Sequence, residues 1–108
     1  MRSVERALAR WVVLAAGALA AGLAAASPEL ARKHGCLGCH AVDQKVVGPS
    51  FTDVAKRYRN TPAAVEMVAK NMRSGLKGAW GDMPMPAQPH LTDAELETLA
   101  RWVLAAGK

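Results

Sequence analysis

Both cysteines of this 108-residue chain fall in one short stretch, Cys36-Leu37-Gly38-Cys39-His40. A bridge between them would close a tiny loop and constrain the unfolded chain very little. From Ser27 onward the chain carries only four large aromatic side chains, Phe51, Tyr58, Trp80 and Trp102. That part of the chain is also of a length at which a single apolar core is barely sufficient. A chain with this inventory needs another staple, such as a bound group with a large apolar surface.

The segment 1–26 is of a different kind. Arg2, Arg6 and Arg10, with Glu5 as the one acid, precede an uncharged run from Trp11 to Ala26. A basic start, a short apolar stretch and small residues at Ala24 and Ala26 read as a cleaved secretory signal peptide. A retained membrane anchor is the rival reading, but a spanning helix needs roughly 20 apolar residues. This run falls short of that, and its two glycines weaken it further. The cut is therefore expected after Ala26, leaving a domain of residues 27–108 outside the cytoplasm and without stable membrane insertion. Cleavage removes three of the 14 basic residues and one of the nine acids, so the net charge falls from +5 to +3. The positive charges are scattered, with no dense basic run interleaved with aromatics, which argues against nucleic acid as a partner.

The domain is expected to be all-α. Ser27 as N-cap, Pro28 at the first helical position and Gly35 as a stop predict a first helix. Phe51 to Tyr58 predicts a short second one. Thr61 as cap, Pro62 next and Gly75 beyond the end predict a third, with Val65, Val68, Ala69 and Met72 on one face. Thr92 and Glu95 form a capping box for the last helix, whose apolar stripe is Leu96, Leu99, Ala100 and Val103. Between the last two helices lies a long loop, from Gly75 to His90. Loops of such length in compact domains are usually functional or disordered.

Three chemistries compete for the cysteines. A redox dithiol of the thioredoxin kind belongs in a βαβ setting, which is absent. A structural zinc ion would need two of His34, His40 and His90 as well, at a spacing that matches no common zinc pattern. Cys-x-x-Cys-His is the signature of covalent haem attachment. Two thiols about one turn apart can each add to a vinyl group at the porphyrin edge, and His40 then offers a nitrogen to the iron.

The second axial position has several candidates. Met67 and Met72 fall inside the expected third helix, where methionine ordinarily fills the core. His34 is too near Cys36 to reach the opposite face and reads as a helix-end histidine. His90 reads as a solvated loop residue. In Met83-Pro84-Met85-Pro86 the prolines fix their own backbone and push their neighbours toward extended geometry, which would hold a thioether stiffly. Met85 is the choice, with Met83 as the fallback.

With these residues assembled, the stretch from Glu29 to Lys108 resembles the short, single-haem bacterial class I cytochromes c of the c-eight group, which are periplasmic electron carriers. GCLGCH resembles their haem site, KVVGPSFTDVAKRY their Gly-Pro loop and following helix, GAWGDMPMPAQ their methionine loop, and DAELETLARWVLA their last helix. The resemblance implies a cytochrome c fold of about four helices wrapped around one haem c. It implies haem attachment at Cys36 and Cys39, with His40 and Met85 as axial ligands. It also implies that a loop carbonyl near Pro49 orients the imidazole, that Trp80 donates to a haem propionate, and that Gln88 lies where an amide contacts the methionine sulfur. One departure is Ala87, where the family usually has a second proline after the ligand.

With both axial sites filled, no iron position remains for a substrate, so one-electron transfer rather than enzymatic turnover is the expected task. The alternative is a haem protein with an open distal site, acting on gas or peroxide. The resemblance implies a periplasmic monomer working with redox proteins. A quinol-oxidising complex is the expected donor, and a terminal oxidase, nitrite reductase or peroxidase the acceptor. Lys45, Lys77 and Arg73 are candidates for the rim of the docking surface.

Overall fold

The computed structural model describes residues 27–106; the expected signal peptide lies outside them. Four helices account for the order of the described chain. Residues 27–33 form α1, followed by a 3-10 turn at Cys36–Gly38, then α2 at Phe51–Tyr58, α3 at Ala64–Ser74 and α4 at Asp93–Leu104. No strand occurs among the described residues, where extended pairing is limited to the isolated bridges His40–Lys45 and Leu76–Met85. The all-α expectation holds.

Local chemistry explains most of the boundaries. Gly35 ends α1 in the left-handed region at φ 76°, where a residue without Cβ is at ease. Ser50 caps α2 by accepting from the Asp53 N–H, and Thr92 and Glu95 form the expected reciprocal capping box on α4. Two expected helix starts differ. Ser27 is itself helical, so α1 does not begin after it. Helix α3 starts at Ala64 rather than just after Thr61, because Ala63 takes a left-handed φ of 56° that cannot continue back into a helix. Thr61 instead donates its N–H to the Tyr58 carbonyl in the turn that follows α2.

Helix α4 is the hub, packing on both α2 and α3. The core joins Ala31 of α1, Val68 and Met72 of α3, Leu91, and Leu96, Leu99 and Ala100 of α4. These residues are aliphatic or methionine. All four large aromatics of the domain, Phe51, Tyr58, Trp80 and Trp102, border a cleft, and Tyr58 and Trp102 also pack against this core. Ala31, Val68, Met72 and Leu99 belong to this core and also line the cleft, so the same helices build both.

Candidate functional site

The cleft, with the solvent-open space at its mouth included, spans about 1010 Å³. Cys36, Cys39, His40, Pro49, Trp80 and Met85 all border it. The positions singled out in the sequence, far apart along the chain, are thus brought to one place.

The histidine side is built by the loop from residue 41 to 50. Its chain returns on itself, with the N–H groups of Val47 and Gly48 both donating to the Cys39 carbonyl. At the start of α2, Phe51 N–H donates to the Ala41 carbonyl and Thr52 N–H to the Val42 carbonyl. His40 is fixed within this frame. Its Nδ1 lies 2.7 Å from the Pro49 carbonyl oxygen, and because a carbonyl only accepts, Nδ1 carries the proton and Nε2 the free lone pair. The ring stacks on Phe51 at 5.2 Å between centroids, and Phe51 meets Trp102 edge-on at the same distance. Gly48 lies so near that a Cβ there would fall 2.5 Å from His40 Cε1. The carbonyl expected near Pro49 is that of Pro49 itself.

The two cysteines frame the 3-10 turn, with Cys36 half-buried and Cys39 exposed, both as free thiols. Burial pushes the Cys36 thiol up from its ordinary value, offset in part by a backbone hydrogen bond. A reactive dithiol needs the opposite shift. Among the described residues no group of three or more His, Cys, Asp or Glu is arranged to hold a metal ion, so the zinc reading has no site either.

The methionine side is equally constrained. Leu76 and Met85 exchange two backbone hydrogen bonds, of 3.0 and 2.8 Å, which fixes Met85 at the neck of its loop. Gly75 makes that neck possible. It has φ 81°, and a Cβ on it would lie 2.9 Å from the Met85 carbonyl oxygen. Met85 is half-buried and packs on the core cluster, whereas Met83, also at the cleft, is 66 % exposed. Trp80 borders the cleft with its ring beneath the Arg57 guanidinium, 4.4 Å from Cζ to the ring centroid. Gln88 is not at the cleft; its side-chain amide donates to the Pro86 carbonyl.

Three roles escaped the sequence reading. Arg57 and Gly48 gave no local signal, since each acts on a residue distant in the chain or through backbone proximity. His34, expected at a helix end, is there, but its Nε2 lies 2.8 Å from Glu95 Oε2 on α4, and its ring is 5.3 Å from that of His90. Of the expected docking residues, Arg73 is ion-paired with Asp93, while Lys45 and Lys77 are exposed.

Residues 24–106 match the model of the family described as Cytochrome c. The chain belongs to the cytochrome c family. Similar cytochromes include cytochrome c-552 of Hydrogenobacter thermophilus, 44 % identical over 85 residues that cover 79 % of this chain and 86 % of that one. Cytochrome c-551 of Pseudomonas aeruginosa is 42 % identical over 95 residues, covering 86 % and 90 %. The crystal structure of wild-type cytochrome c552 from Nitrosomonas europaea superposes with a TM-score of 0.72 at 38 % identity, covering 73 % of this chain and 98 % of that one. This cytochrome c is accordingly a class I electron carrier and not an enzyme; it carries covalent haem c with its iron and works with redox partners. The open-site alternative is not favoured. The cleft fits that group: two thiols, an imidazole with its lone pair free, and aromatic walls all border one apolar opening. Among the described residues no helix is long and apolar enough to cross a membrane.

Proposed function

We propose that this cytochrome c is a periplasmic carrier of single electrons between respiratory redox proteins, exported by a leader of residues 1–26 and acting as a monomeric domain of residues 27–108. The leader reading rests on its basic start, short apolar run and small residues at the cut. Cys36 and Cys39 would hold the haem through thioether bonds, and His40 and Met85 would ligate its iron. The observation that carries this reading is that both prospective ligands are fixed by backbone groups at one cleft. Bound there, haem c supplies a one-electron Fe(III)/Fe(II) couple.

The residues divide the work. The Pro49 carbonyl accepts a hydrogen bond from His40 Nδ1–H at 2.7 Å, holding the tautomer whose Nε2 would be the ligand and raising its donor strength. Met85 contributes a thioether, a soft donor that favours the reduced state. Phe51, Tyr58 and Trp102 keep water from the interior wall. Trp80, at the cleft, would donate its indole N–H to a haem propionate. Lys45 and Lys77, with exposed Val46 and Val47 beside the first of them, suit a docking surface for a quinol-oxidising complex or another donor. The acceptor would be a terminal oxidase, nitrite reductase or peroxidase.

Visible spectra of the haem-loaded protein test the ligand set. Met85→Ala is expected to abolish the red-region sulfur-to-iron absorption, and Met83→Ala to leave it in place. The reverse result would transfer the role to Met83, and rapid carbon monoxide binding by the unaltered ferrous protein would overturn the closed-site reading. Sequencing the exported protein from its N-terminus should find Ser27 first.

A further inference from the structure

We propose that Arg57 is a positioning residue for Met85, clamping the middle of the methionine loop to helix α2; this rests on Met85 being the sulfur ligand. The loop from Leu76 to Met85 is closed at its neck by the two backbone hydrogen bonds between those residues. Its interior is soft. Gly78 and Gly81 take φ of 82° and 112°, and among the described residues no backbone–backbone hydrogen bond reaches residues 77–84. Glycines in such a segment leave the unfolded and partly opened chain many conformations, so a hold from outside the loop is needed to define it.

Arg57 supplies that hold at two consecutive residues. Its Nη1 donates to the Ala79 carbonyl at 2.6 Å, and its Cζ lies 4.4 Å from the centroid of the Trp80 ring. The first contact satisfies a main-chain acceptor and the second uses the planar face of the same guanidinium. The Tyr58 ring, at 6.0 Å, flanks the group on its own helix.

The position of Arg57 on α2 matters as much as its contacts. At the other end of α2, Phe51 stacks on His40 and its N–H is tied to the Ala41 carbonyl. Six helical steps separate Phe51 from Arg57, about 9 Å along the axis. Helix α2 is therefore a strut, with the histidine wall at its N-terminal end and the methionine loop at its C-terminal end. A loosened Ala79–Trp80 segment would let the loop swing about its neck and make detachment of the Met85 sulfur easier, without unfolding any helix.

The test uses the haem-loaded protein and the variants Arg57→Ala, Arg57→Lys and Met85→Ala. Two readouts are followed: the pH at which the red-region sulfur-to-iron absorption is lost, and the rate of carbon monoxide binding to the ferrous form. Arg57→Ala is expected to keep the far-UV helical signal and the neutral-pH absorption. It should lose that absorption at lower pH than the parent and bind carbon monoxide roughly tenfold faster, the combined effect of one hydrogen bond and one cation–π contact. Arg57→Lys, which keeps charge but not the planar fork, should fall between. If Met85→Ala removes the absorption while Arg57→Ala matches the parent in both readouts, the positioning role is wrong and the ligand reading stands. If Met85→Ala leaves the absorption in place, the ligand reading has failed and this inference falls with it.

Discussion

The imidazole of His40 rests against the backbone of Gly48, with no room for even a methyl group between them. The backbone at Gly48 is not in the left-handed region, so the requirement for glycine there is one of space alone. His40 cannot retreat, because its Nδ1 is held by Pro49 and its face by Phe51. Gly48→Ala should therefore cost about 1–3 kcal/mol, the range for overpacking a filled site, and move the reduction potential by displacing the ring. Gly38→Ala, in the neighbouring turn where a Cβ meets nothing within 4 Å, is the matched control. Thermal melts and potentiometry of the two variants decide the point, and equal behaviour would refute it.

Gly75→Ala should act on the other side of the cleft. A Cβ 2.9 Å from the Met85 carbonyl, on a backbone at φ 81°, meets both a steric and a conformational objection. The Leu76–Met85 pairing should open, so that the sulfur-to-iron absorption weakens more than the far-UV helical signal does. Proportional loss of both would show that Gly75 serves the fold generally rather than the loop neck.

Acid sensitivity should be concentrated at the contact between α1 and α4. The Glu95 carboxyl is lowered to about 2, first by the hydrogen bond from the Thr92 backbone and then by His34. A carboxyl depressed by folding stabilises the native state fully above its ordinary value of about 4.3, and that contribution is lost as pH falls toward about 2. His34 on the side of α1, with the neighbouring His90 ring, and Thr92 on its own helix are the groups that face it. Unfolding of the parent should therefore become easier between roughly pH 4 and 2, while Glu95→Gln should show a flatter profile over the same interval. Parallel profiles would count against the assignment.

Ala63 offers a gain. Its left-handed φ of 56° is costly for a residue with a Cβ and costs nothing extra for glycine. Ala63→Gly should stabilise the protein by about 1 kcal/mol, raising the melting temperature by about 4–8 °C for a domain of this size. A lower melting temperature would mean that the greater freedom of glycine in the unfolded chain dominates.

The same residue marks the limit of what could be read from the sequence. The capping box of α4 was legible because Thr92 and Glu95 act within one helical turn of each other, and the cysteines and histidine because their chemistry is contiguous. Thr61 also stood as a cap candidate but had Ala64 where Thr92 has Glu95, so no reciprocal capping bond was on offer, and the chain turns through Ala63 first. His34 and Glu95 are 61 positions apart, and Arg57 and Ala79 are 22 apart. Neither pairing has a local signature. The Gly48-Pro49 step was visible as a loop, but that the glycine makes room for His40, and that the proline offers its carbonyl, are facts of three-dimensional proximity.

The core described above also fixes an order of events. Ala31 from the first helix is fully enclosed only in company with Leu96, Leu99 and Ala100 of the last, so the aliphatic centre does not exist until nearly the whole chain has emerged. Until α4 docks, the core against which Cys36 packs is incomplete. Docking of the final helix completes that core around Cys36 and leaves Cys39 at the surface.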